Sequence, residues 1–122
     1  MKITIAQLNP VIGDIEGNLE KAGNALSRCA GDASDLIVFS ELFLAGYPPR
    51  DLLERSRFVE RVKEAVDRIV AMSSAYPQTG ILMGAPTLSE EKLGRGFYNS
   101  ALLIFKGAVA ATQHKSLLPN YD

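Results

Sequence analysis

Leu36-Ile37-Val38-Phe39 runs directly into Ser40-Glu41, and this stretch decides the fold. Four consecutive apolar residues without alternation predict a short strand buried on both faces, as in the middle of a parallel sheet. Glu41 follows where that strand meets a loop, which is where α/β enzymes usually keep their chemistry. The loop extends to about Asp51, and Pro48-Pro49 fixes an extended backbone within it.

Working outward, residues 2–8 alternate in polarity and predict a first strand, stopped by Asn9-Pro10. Gly13 and Gly17 punctuate a loop. A helix is expected over about 18–29, with Leu19, Ala22, Leu26 and Cys29 as its apolar stripe and Glu20, Lys21 and Arg28 outside. On the other side, a second helix spans about 56–74 behind Ser56 as N-cap. Phe58, Val62, Ala65, Val66, Ile69 and Met72 form its inner stripe, and Glu64 and Arg68 stand at a supportive i,i+4 spacing. Strands follow at about 81–85, 98–105 and 108–113, the last two joined by the turn signal Lys106-Gly107. The order βαβαβββ defines an α/β layer fold with a mixed sheet. Right-handed crossovers place both helices on one face, so the other face calls for a cover from the rest of a larger domain or from another chain.

At 122 residues the chain is one domain or part of one, with ordinary globular apolar and charged fractions (47% and 22%). A net charge of -1 gives no electrostatic case for nucleic acid or an anionic membrane. No apolar run is long enough to span a bilayer, and the N-terminus lacks a signal-peptide core. One cysteine and one histidine exclude an internal disulfide framework and make a structural zinc site an unfavoured reading. A cytoplasmic protein is the default expectation.

Two ionisable residues stand at strand ends. Glu41, if desolvated there, would have a raised pKa and serve as a base near neutral pH; the alternative is a solvated loop carboxylate. Lys115 follows the last strand in His114-Lys115-Ser116-Leu117-Leu118-Pro119-Asn120-Tyr121-Asp122. A charged lysine there can stabilise an oxyanion; the alternative is a surface lysine. Cys29 is not read as a nucleophile, because on an apolar stripe it acts as a small hydrophobe. Strand alternation turns His114 away from Lys115, towards a structural role. Gly13-x-x-x-Gly17 lacks the Lys-Ser/Thr of a phosphate loop, and Gly94-Arg95-Gly96 reads as a turn.

Three strings together resemble the carbon–nitrogen hydrolase (nitrilase) superfamily: Glu41-x-x-x-x-Gly46-Tyr47-Pro48-Pro49-x-Asp51-Leu52-Leu53, Phe97-Tyr98-Asn99-Ser100-Ala101, and Lys115-x-x-Leu118-Pro119-Asn120-Tyr121. Within it they are similar to the N-terminal glutaminase domains of glutamine-dependent NAD synthetases, as is the opening Ala6-Gln7-Leu8-Asn9-Pro10-x-x-Gly13-Asp14. The resemblance covers the whole chain. It implies an α-β-β-α sandwich of which this chain is the first half, and a Glu–Lys–Cys triad with Glu41 as general base and Lys115 at the oxyanion. Tyr47 and Tyr121 would line the glutamine pocket.

The resemblance also implies a nucleophilic cysteine on a later strand-to-helix elbow, and no cysteine follows Lys115 here. Residues 1–122 are therefore expected to be a partial domain, inactive alone. They would hold no metal or cofactor themselves, the ATP and magnesium sites belonging to a synthetase domain that is absent. Expected partners are glutamine and whatever covers the open sheet face, in a homo-oligomer. Another amidase of the superfamily and a non-catalytic interaction half-domain remain the alternative readings.

Overall fold

The computed structural model describes residues 1–41, 43–46, 56–88 and 97–117; at 56, 87–88, 97–99 and 115–117 only the backbone is described. Its elements are β1 (Ile3–Ile5), α1 (Ile15–Gly31), β2 (Leu36–Val38), α2 (Ser56–Ser73), β3 (Gly80–Leu88), β4 (Phe97–Phe105) and β5 (Ala108–Leu117). This is the βαβαβββ order that the sequence predicts.

The five strands form one mixed sheet in the order β1-β2-β3-β4-β5. β1, β2 and β3 are parallel, while β4 is antiparallel to both β3 and β5. The C-terminal ends of β1, β2, β3 and β5 therefore lie at one edge. Helices α1 and α2 pack on each other, and Arg68 of α2 reaches Glu16 of α1 at 2.9 Å rather than forming its expected pair within α2. That bridge is solvent-exposed and contributes little, about 0–1 kcal/mol.

The apolar stripes supply most of the cohesion. Ile15, Leu19, Ala22, Leu26 and Cys29 of α1 and Phe58, Val62, Ala65 and Ile69 of α2 are buried against Ile37, Ile81, Met83, Leu102 and Ile104 of the sheet. Burying each large aliphatic or aromatic side chain contributes roughly 1.5–3 kcal/mol.

Only one face of the sheet is covered among the described residues, in line with a second face that calls for a cover. In register, Ile37, Ile81 and Ile104 lie side by side and are fully buried. The adjacent row, Ile5, Val38, Leu82, Leu103 and Ala111, is half-buried or exposed, with Ile5 at 68%. Alternation puts these two rows on opposite faces. The helices cover one face, and no described element covers the other.

The first helix starts three residues before its expected position. Asp14 caps it, its carboxylate accepting the Gly17 N–H at 3.0 Å. Gly17 reads as loop punctuation in the sequence, yet it lies inside the helix, where a Cβ would collide with that carboxylate. The helix ends in paired bonds from Ala33 N–H to Ala30 C=O and from Ser34 N–H to Cys29 C=O, with Ala33 at φ 60°. This is the Schellman arrangement, here built on alanine where glycine is usual. β1 is shorter than expected, because β2, its sole neighbour among the described residues, offers three partners. Lys106 and Gly107 both take positive φ, the two-residue hairpin turn that the sequence signals.

Candidate active site

The stretch after β2 carries Glu41 in a tightly held turn. Phe39, Phe43, Leu44 and Ala45 are all buried, and the Phe39 and Phe43 rings pack at 5.2 Å between centroids. Ser40 and Glu41 form the exposed crest between the two rings. The burial that would desolvate Glu41 is thus not found. The apolar residues on either side occupy the inner positions of the turn, and the two polar residues turn outward.

Below the crest the turn is fastened to the loop before α1. Gly13 N–H donates to Ala45 C=O at 3.0 Å. Gly46 sits at φ 79°, and a Cβ there would stand 2.6 Å from Ile12 Cα. Only glycine permits that approach of two backbones.

The fastening centres on Asn18, which sequence reasoning placed only as a helix start. Asn18 is fully buried on α1. Its Oδ1 accepts the Val11 N–H at 2.7 Å, and its Nδ2 donates to Val11 C=O at 2.9 Å and Leu44 C=O at 3.0 Å. One sequence signal could have found it: Asn18 stands in helical register between Ile15 and Ala22, a polar residue on an otherwise apolar stripe.

Lys115 does not follow the last strand as expected: β5 runs on past residue 113, and Lys115 lies within its backbone, two residues before Leu117. Register relates it to Glu41. Val38, Leu82, Leu103 and Ala111 stand level across the sheet. Glu41 lies three residues beyond Val38 and Lys115 four beyond Ala111, both towards the same edge. The fold thus places both positions towards one edge of the sheet, with β3 and β4 between their strands. The Lys115 side chain, Tyr47 and Tyr121 lie outside the described residues.

His114 stands opposite Ser100, and its Nδ1 lies 2.7 Å from Ser100 Oγ. Ser100 is buried and alternates with Leu102 and Ile104, so this pair belongs to the helix-facing side. Cys29 is buried, its thiol directed to Leu26 C=O at 3.5 Å. Burial pushes the thiol pKa up, and the nearby Asp32 charge adds to this against an opposing hydrogen bond with Ser34. It stays a thiol, which suits packing and not attack. Among the described residues, no three His, Cys, Asp or Glu side chains converge on a point that could hold a metal ion. No helix among them is long and apolar enough to cross a membrane.

A mixed five-stranded sheet with two helices on one face makes one half of a layered α/β fold. The carbon–nitrogen hydrolase family model matches residues 2–122, and the chain belongs to that family. A glutamine-dependent NAD(+) synthetase of Thermotoga maritima is 39% identical over 121 residues, covering 99% of this chain and 20% of the relative. The corresponding synthetase of Synechocystis is also 39% identical, over 98% of this chain and 22% of its own length. The chain thus spans about a fifth of these curated relatives.

Among solved structures, a glutamine-dependent NAD+ synthetase from Acinetobacter baumannii in complex with ADP superposes with a TM-score of 0.77 at 30% identity, over 98% of this chain and 22% of that one. An amidase from Nesterenkonia reaches 0.82 at 23% identity, over 99% and 44%, and supports the fold alone.

Proposed function

We propose that this chain is the opening part of the glutaminase domain of a glutamine-dependent NAD synthetase, releasing ammonia from glutamine for amidation of deamido-NAD. The observation that carries the reading is the 39% identity to the Thermotoga maritima synthetase along almost the whole chain. The common sheet edge of Glu41 and Lys115 supports it.

In this reading Glu41 takes the proton from a cysteine thiol supplied by the continuing polypeptide. The sulfur attacks the side-chain amide carbon of glutamine, and the carbonyl electrons move onto oxygen, where the Lys115 ammonium stabilises them. As the intermediate collapses, the C–N bond breaks and the departing nitrogen takes the proton from Glu41, leaving as ammonia. Water, deprotonated by Glu41, then attacks the thioester, releasing glutamate and restoring the thiol. Tyr47 and Tyr121 line the glutamine pocket. ATP and magnesium act in the synthetase domain, and no step here passes through them.

The open apolar face takes the remainder of the domain or another copy, which excludes water from the site, and the parent assembles as a homo-oligomer. The 122 residues alone lack the nucleophile and do not turn over glutamine. The test is ammonia release from glutamine by the full-length polypeptide and by residues 1–122. Activity in the first and none in the second supports the reading. Turnover by the short chain, or none by the long one, refutes it.

A further inference from the structure

We propose that Asn18 is a positioning residue for the Glu41 turn. This rests on the reading of Glu41 as the general base. Three observations converge on it. The carboxamide is fully buried, and burying an amide is costly unless its bonds are met. Both Nδ2 protons and Oδ1 are engaged, and one amide orientation alone satisfies the Val11 N–H together with two carbonyls. Those bonds join three separate segments: the loop before α1, α1 itself, and Leu44, three residues beyond Glu41.

A residue needed only to stabilise the helix would bond within it. The bonds of Asn18 point away from the helix, and one of them crosses to the turn that carries the base. The Gly13–Ala45 bond and the close approach of Gly46 to Ile12 leave little alternative path for that turn. Asn18 thereby sets the height and angle at which Ser40-Glu41 leaves the sheet. A base displaced by about 1 Å can lose on the order of 100-fold in rate.

The test uses the full-length polypeptide with Asn18→Leu, which keeps the branched shape and loses all three bonds. Asn18→Asp serves beside it, keeping the acceptor for Val11 N–H and losing the donor to Leu44. Wild type and Glu41→Gln are run first. An inactive wild type, or an active Glu41→Gln, would overturn the functional reading itself, separately from the role of Asn18.

With those controls in place, both Asn18 variants should lower kcat about 10- to 100-fold per folded molecule, with KM for glutamine within about threefold. Alkylation of the nucleophilic cysteine by iodoacetamide, followed by peptide mapping, should slow to a similar degree. A merely structural role predicts the opposite: kcat per folded molecule unchanged, and alkylation unchanged or faster as the site loosens. That result in either variant overturns the proposal, and should Asn18→Leu fail to fold, Asn18→Asp decides by the same criteria.

Discussion

Replacing Gly46 with alanine should unfasten the Glu41 turn while leaving the sheet in place. Gly46 sits at φ 79°, and its added Cβ would meet Ile12 Cα at 2.6 Å, Ile12 N at 2.8 Å and the Val11 carbonyl at 2.9 Å. All three are backbone atoms, so relief requires the 11–13 loop to move as a unit. The left-handed conformation costs an alanine about 1 kcal/mol. Moving the loop breaks the Gly13–Ala45 bond and the pairing of Val11 with Asn18, at about 1 kcal/mol each. The sum, about 3 kcal/mol, corresponds to roughly 100-fold more frequent local opening. Hydrogen exchange read by mass spectrometry is the assay, on peptides covering 9–19 and 36–46, with β3 and β4 peptides as reference. Gly23→Ala is the control, because its Cβ would meet Met72 Sδ at an ordinary 3.5 Å and alanine favours the helix interior. Exchange at Val11, Gly13 and Asn18 should accelerate about 100-fold in Gly46→Ala and not in Gly23→Ala. Acceleration below about threefold would refute the idea that the loop and the turn hold each other.

Ala33→Gly should stabilise the end of α1 by about 1 kcal/mol, because Ala33 holds φ 60° at the helix stop; amide exchange at Ala33 and Ser34 would slow about fivefold. Cys29 should resist alkylation at pH 8 in the folded chain and react promptly in denaturant. Its raised pKa also links folding to pH. The unfolded thiol ionises near its ordinary value of 9.0 while the folded one stays protonated, so this contribution is complete below that pH and is lost as pH rises through the folded value. Urea midpoints should therefore fall from pH 8 to 10 in the native sequence and fall less in Cys29→Ala.

Where sequence was informative, it was because one local pattern had a single physical solution. The stripes of α1 and α2 fit only the helical period, and Lys106-Gly107 between apolar runs fits only a tight hairpin. Leu36 to Phe39 was harder. The run records that both faces of the strand are apolar, while the described helices cover one, so Ile37 is buried and Val38 is left half-exposed. The start of α1 differs from expectation because a capping aspartate and an interior glycine resemble a loop in sequence, while in the fold the Asp14 carboxylate lies over Gly17. The end of the apolar run places Glu41 in the turn after β2, whereas Lys115 lies inside β5 because that strand runs longer than its apolar pattern; the side on which the turn after β2 presents its crest is a packing outcome. Asn18 is not marked by local sequence, because a polar residue near a helix start is unexceptional. Its role depends on Leu44, 26 residues away. Tyr47 and Tyr121 lie outside the described residues and rest on the resemblance.

The most direct test of the central claim, that one sheet edge carries two parts of an amide-hydrolysing site, is glutamine hydrolysis by the full-length polypeptide bearing Glu41→Gln or Lys115→Met. Each substitution keeps the approximate volume and removes one charge. Loss of the base or of the oxyanion partner should lower kcat by at least about 100-fold. The folded fraction and, on the proposed function, the ammonium-driven synthetase step should stay near wild type. Glutaminase turnover within about threefold of wild type in either variant would contradict the account.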